Sequence, residues 1–167
     1  SVLLARAGVD AREVSLVGVG TGATAVAALR TGRVHALCHA DPIMSLLEHR
    51  GEVRLVSDLR TLTAAQEVFG GAMPASCLYA PQAFLHKEPL VAQALTNAIV
   101  HALKWLQTAS PADLIKAVPA SYVLGDRAVY LAAFNRVRET FSPNGLMPED
   151  GPATALRALA QAYPHMA

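Results

Sequence analysis

From Val14 to Ala80 short apolar runs and helical stretches take turns, and this rhythm constrains the fold more than any other feature. Val14–Val19 (VSLVGV) is apolar and rich in β-branched residues, which predicts a strand. Gly20-Thr21-Gly22 breaks it, and the Ala-rich stretch Ala23–Arg30 reads as a helix closed by Gly32. Val34–His39 (VHALCH) predicts the next strand. Asp41-Pro42 then opens a helix through Glu48, with Asp as N-cap and Pro at the first helical position, and Gly51 stops it. Val53–Ser57 and Ala75–Ala80 predict a third and a fourth strand, with a loop from Asp58 to Met73 between them. Such alternation implies βαβ units and a small, mostly parallel sheet with flanking helices, an α/β fold.

After Pro81 the character changes to helix. Leu90, Val91, Ala94, Leu95, Ala98, Ile99, Ala102, Leu103 and Leu106 line one broad helix face. Further helices fit Ser110–Ala117, Asp126–Thr140 and Pro152–Ala162, as one fits Val2–Ala7 at the start. The expected division is an α/β half over residues 1–80 and a helical segment over 81–167. Some apolar helix surface has no evident partner within these residues.

Composition excludes several classes. Hydrophobic residues make up 53% of 167 and charged residues 16%, too apolar for disorder. The net charge of +1 comes without a basic stripe, so nothing recommends nucleic acid or an anionic membrane as partner. No apolar run approaches the roughly 18 residues of a membrane helix. No charged and apolar leader opens the chain, and Ser1 does not read as a natural start. Cys38 and Cys77 fall in separate predicted strands and read as buried free thiols. A disulfide between them would need those strands to be neighbours.

The sharpest local motif is Gly18-Val19-Gly20-Thr21-Gly22-Ala23, a G-x-G-x-x-A between a predicted strand and a helix. With Asp41 at the end of the next strand it matches a dinucleotide fingerprint, so one reading is a fragment of an NAD(P)-binding oxidoreductase. A turn of this kind suits other ligands equally, because a helix start offers unpaired N–H groups to an anion. His35, Cys38 and His39 do not converge on a metal: within one strand the two histidines face one side and the cysteine the other. His49, His86, His101 and His165 are scattered and read as surface or helix residues. There is no G-x-S-x-G, no H-E-x-x-H and no Walker lysine, and acidic residues are unpaired in the strand-end loops. The sequence therefore reads as a binder rather than an enzyme, without cofactor or metal. A helical scaffold that binds no ligand is the third reading.

The stretch VSLVGVGTGATAVAALRTGRVHALCHADPIMSLLE resembles the second lobe of type II periplasmic solute-binding proteins, nearest the nitrate, taurine, alkanesulfonate and thiamine-precursor transporters. VRLVSDLRT, FGGAMPASCLYAP, ALTNAIVHALKWLQ, SPADLIKAVPASYVLGDRAVYLAAF and FSPNGLMPEDGPATALRALA continue the resemblance in order. The order of these pieces is more specific than any one of them. One departure is His35, where the family often has Asp. The resemblance implies a two-lobed protein that clamps a small organic solute and delivers it to the permease of an ABC importer, in the periplasm or lipid-anchored outside the cell. It implies that this chain holds the C-terminal lobe, with the N-terminal lobe and the first strand of lobe two absent. By position, ligand contacts would fall on Gly20, Thr21, Gly22, Ala23 and Thr24, then His39 and Asp41, with Met73 and Ser76 from the return strand. Helices deprived of their usual neighbour predict self-association of the isolated chain, as a dimer with or without exchanged helices.

Overall fold

A computed structural model describes residues 2–123 and 125–163. His165 lies outside them. The helices are α1 (Val2–Arg6), α2 (Ala23–Arg30), α3 (Ile43–His49), α4 (Leu62–Phe69), α5 (Gln82–Lys87), α6 (Pro89–Thr108), α7 (Pro111–Ala117), α8 (Ala120–Val123), α9 (Arg127–Val137) and α10 (Gly151–Ala162). Short 3-10 turns cover Ala11–Glu13 and Arg138–Thr140. No helix among the described residues is long and apolar enough to cross a membrane.

The expected sheet is not formed. Among the described residues there is no strand: Val14–Val19, Val34–His39, Val53–Ser57 and Ala75–Ala80 run without regular secondary structure and do not pair with one another. The α/β expectation is corrected on this point. A β-branched run becomes a strand only when a neighbour about 4.8 Å away takes up its main-chain groups, and no such neighbour lies within these residues. With no layer covering them, the runs stay open: Leu16 is 76% exposed and Val56 is 90% exposed. The same openness corrects the reading of the cysteines, since both Cys38 and Cys77 are exposed free thiols.

The helices follow their local signals closely. α2 spans the expected residues. α3 begins one residue after Pro42, with the Asp41 carboxylate accepting from Ser45 N at 2.8 Å. The segment 58–73, expected as a loop, contains α4 instead. Thr61 caps it by accepting from Ala64 N at 3.2 Å, and Gly70 ends it in the left-handed conformation.

The chain forms two compact bodies. One comprises the chain up to Asp58 together with Pro111–Arg136. Its core joins Val26 of α2 to Ile43 and Leu47 of α3, with Leu29, Leu37 and Val53 packed against them. α7, α8 and α9 bury Leu114, Val123, Val129, Ala133 and Phe134. At the rim, the Arg30 guanidinium grips Glu52 in two bonds of 2.6 and 2.7 Å, and Arg136 donates to Glu48 at 2.8 Å. The hydrogen bond from Arg30 holds the Glu52 carboxyl below its ordinary range.

The second body comprises Leu59–Ser110 and the chain from Val137 onward. Here α10 lies against α4, and α6 against α5 and the 138–140 turn. Arg138 closes the C-terminus of α6 by donating to the carbonyls of Gln107 and Ala109 at 3.3 and 3.0 Å. The start of α10 holds the chain after α4: Asp150 accepts from Ala72 N at 3.0 Å and Arg157 donates to the Gly70 carbonyl at 3.3 Å. Fully buried Thr154 sits between them, accepting from Arg157 at 3.0 Å.

Leu47 is fully buried between α2 and α3, whereas Val56 touches little. Leu47→Ala is expected to lose about 2–5 kcal/mol of stability, while Val56→Ala stays within about 0.5 kcal/mol. Urea denaturation of both variants checks the contrast.

Candidate functional site

The residues singled out in sequence fall into two groups. Gly20 to Thr24, His39 and Asp41 belong to the first body, and Met73 and Ser76 to the second.

The first group is organised by α2 and α3. Val26 and Ile43 meet in the core, so the turn that starts each helix is anchored to the same cluster. The turn before α2 needs its glycines: Gly20 and Gly22 both have φ of 69°, a region that side chains with a Cβ rarely occupy. Thr24 Oγ1 donates to the Thr21 carbonyl at 3.0 Å and locks the turn. Gly22 occupies the N-cap position, and no side chain caps the helix there. The first N–H groups of α2 therefore retain hydrogen-bonding capacity and the positive end of the helix dipole. Thr21, Ala23 and Thr24 are exposed around them.

At the second turn, His39 Nδ1 turns back on its own main chain, 2.9 Å from Ala40 N and 3.1 Å from the Ala40 carbonyl. Pro42, rather than the expected Asp41, holds the N-cap position of α3, and the Asp41 carboxylate instead accepts from Ser45 N within the first turn. The dinucleotide fingerprint loses its context here, because no strand precedes the glycine turn and the acid that would hold a ribose is bonded to the first turn of α3. Gly-rich turn and acid were both legible in sequence; their roles depended on what surrounds them.

Behind these turns α2 and α3 form an open groove of about 420 Å³ lined by Ala23, Val26, Arg30, Ile43, Leu46 and Arg50. A second open groove of about 470 Å³ lies between α3 and α9, with Glu48, His49, Asp126 and Arg136 on its walls. Sequence reading identified neither, since each is made by two helices whose contact is non-local. In the second body, Met73 is half-buried and Ser76 exposed, just beyond the Asp150 and Arg157 contacts that fix residues 70–72.

Residues 1–118 match the NMT1-like family. The chain belongs to that family. NMT1-like proteins are periplasmic binding proteins of nitrate, taurine and thiamine-precursor ABC transporters, a solute-binding and non-catalytic group. A solved protein from Bordetella bronchiseptica is 54% identical to this chain and superposes with a TM-score of 0.89 over 95% of it. The match takes up 50% of that protein, so the chain spans about half the length of its solved relative. No curated protein matches the chain.

Two glycines separate backbone strain from crowding. A Cβ on Gly22 meets nothing within 4 Å, so Gly22→Ala carries only the strain of its positive-φ backbone, about 1–3 kcal/mol. A Cβ on Gly71 would collide with Thr154 Oγ1 and lie 2.7 Å from Asp150 Oδ2. Gly71→Ala is expected to cost about 1–3 kcal/mol by overpacking and to speed amide exchange at Ala72, while Gly22→Ala leaves that amide unchanged. Hydrogen-exchange mass spectrometry reads both.

Proposed function

We propose that this chain is the ligand-contacting part of the substrate-binding component of an ABC importer, capturing a small anionic organic solute such as a sulfonate or carboxylate, or a thiamine precursor. The observation that carries the reading is the uncapped start of α2 behind the Gly20–Gly22 turn, in a chain of NMT1-like family. Helix-start amides accept sulfonate, carboxylate or phosphate oxygens without a charged side chain. The Thr21 hydroxyl adds a donor at the same turn, and Gly20, Gly22, Ala23 and Thr24 contribute main chain. His39 presents its free ring nitrogen edge to a polar group of the solute, and Asp41 contributes by fixing the turn next to it. In the whole protein a second lobe closes over the solute, and that closure is what the permease reads. The working location is the periplasm, or the outer face of the membrane for a lipid-anchored form.

The test is a thermal-shift screen on a full-length protein containing this chain, against small sulfonates, carboxylates, nitrate, thiamine precursors, NAD and NADP. A true solute at a hundred times its dissociation constant stabilises the protein by about 2.7 kcal/mol. Stabilisation by one small solute, reduced at least tenfold in affinity by Gly22→Val, supports the reading. Stabilisation by a dinucleotide alone contradicts it.

A further inference from the structure

The groove between α2 and α3 lies wholly within the first body. Its floor is apolar: Val26, Ile43 and Leu46 line it and are otherwise buried. Ala23 and Ala27 sit one helical turn apart, both exposed, and form a low wall that leaves room for a molecule to lie against α2. Thr31 folds its hydroxyl back onto the Ala27 carbonyl at 2.8 Å, so its proton is not offered to the groove.

Two cations stand at the far end. Arg30 is committed: its guanidinium holds Glu52 in bonds of 2.6 and 2.7 Å, and the two charges cancel. Arg50, the residue that closes α3, differs. It is exposed, and its guanidinium makes no hydrogen bond or ion pair among the described residues. The groove therefore carries one uncompensated positive charge beside an apolar floor. A guanidinium presents a planar fork that matches a carboxylate in two parallel bonds.

Size decides what kind of molecule fits. The groove has a volume of about 420 Å³, within the range of about 300–1,000 Å³ typical of small-ligand sites. From Ala23 to Arg30 the helix rises by about 10 Å. A protein partner needs about 800 Å² from each side for a stable contact, and a trough between helices of eight and seven residues is too short to supply that alone. We propose that the α2–α3 groove is a peripheral binding site for an amphipathic carboxylate, a small aliphatic or aryl acid whose carboxylate pairs with Arg50 and whose apolar body lies over Val26, Ile43 and Leu46. The site is independent of the solute reading above, because the anion sits at the opposite end of α2 from the Gly20–Thr24 turn.

The probe is octanoate, kept below the concentration at which it forms micelles. It is titrated into a full-length protein containing this chain and followed by amide-resolved NMR. The expected result is saturable shifts at Ala27, Leu46 and Arg50, with Thr24 unmoved. Octanol lacks the charge and acetate lacks the apolar body, so each should bind at least tenfold more weakly. Arg50→Gln should weaken octanoate at least fivefold, and so should Ala27→Leu, which fills the trough from an exposed helix position. Both substitutions are at exposed sites, and thermal melts that match the parent show that the variants are folded. The proposal is overturned if octanoate does not bind saturably, or if either folded variant leaves its affinity unchanged. It is also overturned if the shifts gather at Thr21 and Thr24 instead, which would put the acid at the solute turn and leave the proposed function standing. A screen that finds no solute while octanoate still occupies the groove would remove the proposed function and support this site.

Discussion

The contact of Val26 with Ile43 and Leu47 is the constraint on which the first body depends. It couples α2 to α3, and both candidate ligand turns are the starts of those helices. Each turn adds its own local lock: Thr24 on the Thr21 carbonyl, and Asp41 on Ser45 N. The Arg30–Glu52 pair lies at the far end of α2, where it steadies the exit from α3 without entering either turn. It is exposed, so its contribution is small beside that of Leu47. Burial fixes where the helices lie; hydrogen bonds then fix how their first turns are shaped.

The second body is held in another way. α6 buries nothing fully, and its C-terminus is closed by Arg138 rather than by packing. The firm point is the start of α10, where Thr154, Asp150 and Arg157 clasp residues 70–72 so tightly that Gly71 has no room for a Cβ. This clasp sets the departure of the segment bearing Met73 and Ser76. This body is fastened mainly by polar contacts at helix ends, and the apolar face of α6 stays exposed.

Helices were legible in the sequence because their determinants are local. The Ala-rich run between Gly22 and Gly32 and the long apolar stripe after Pro89 were sufficient to place α2 and α6. α4 is the exception: its cap, Thr61, and its stop, Gly70, are local signals, but they bracket only eight residues inside the segment expected as a loop. The strands were misread for the opposite reason. Val14–Val19 and Val53–Ser57 have the right residues, yet a ladder is a property of two segments, and the described residues supply no second one. The cysteines were placed inside because the sheet was expected to be there. Of the candidate site, the glycine turn and the helix start after Asp41-Pro42 were legible as local chemistry, whereas the grooves along α3 were not, because they arise where distant helices meet.

The account turns on the uncapped amides at the start of α2 as the place where a solute anion is held. The most direct measurement is an amide-resolved NMR titration of the full-length protein with small sulfonates and carboxylates, and with NAD as the competitor. The account predicts saturable shifts centred on Ala23, Thr24 and Ala25, with a response at His39 and none to NAD. Saturable binding that leaves those amides unmoved, or shifts there produced by NAD alone, would contradict it.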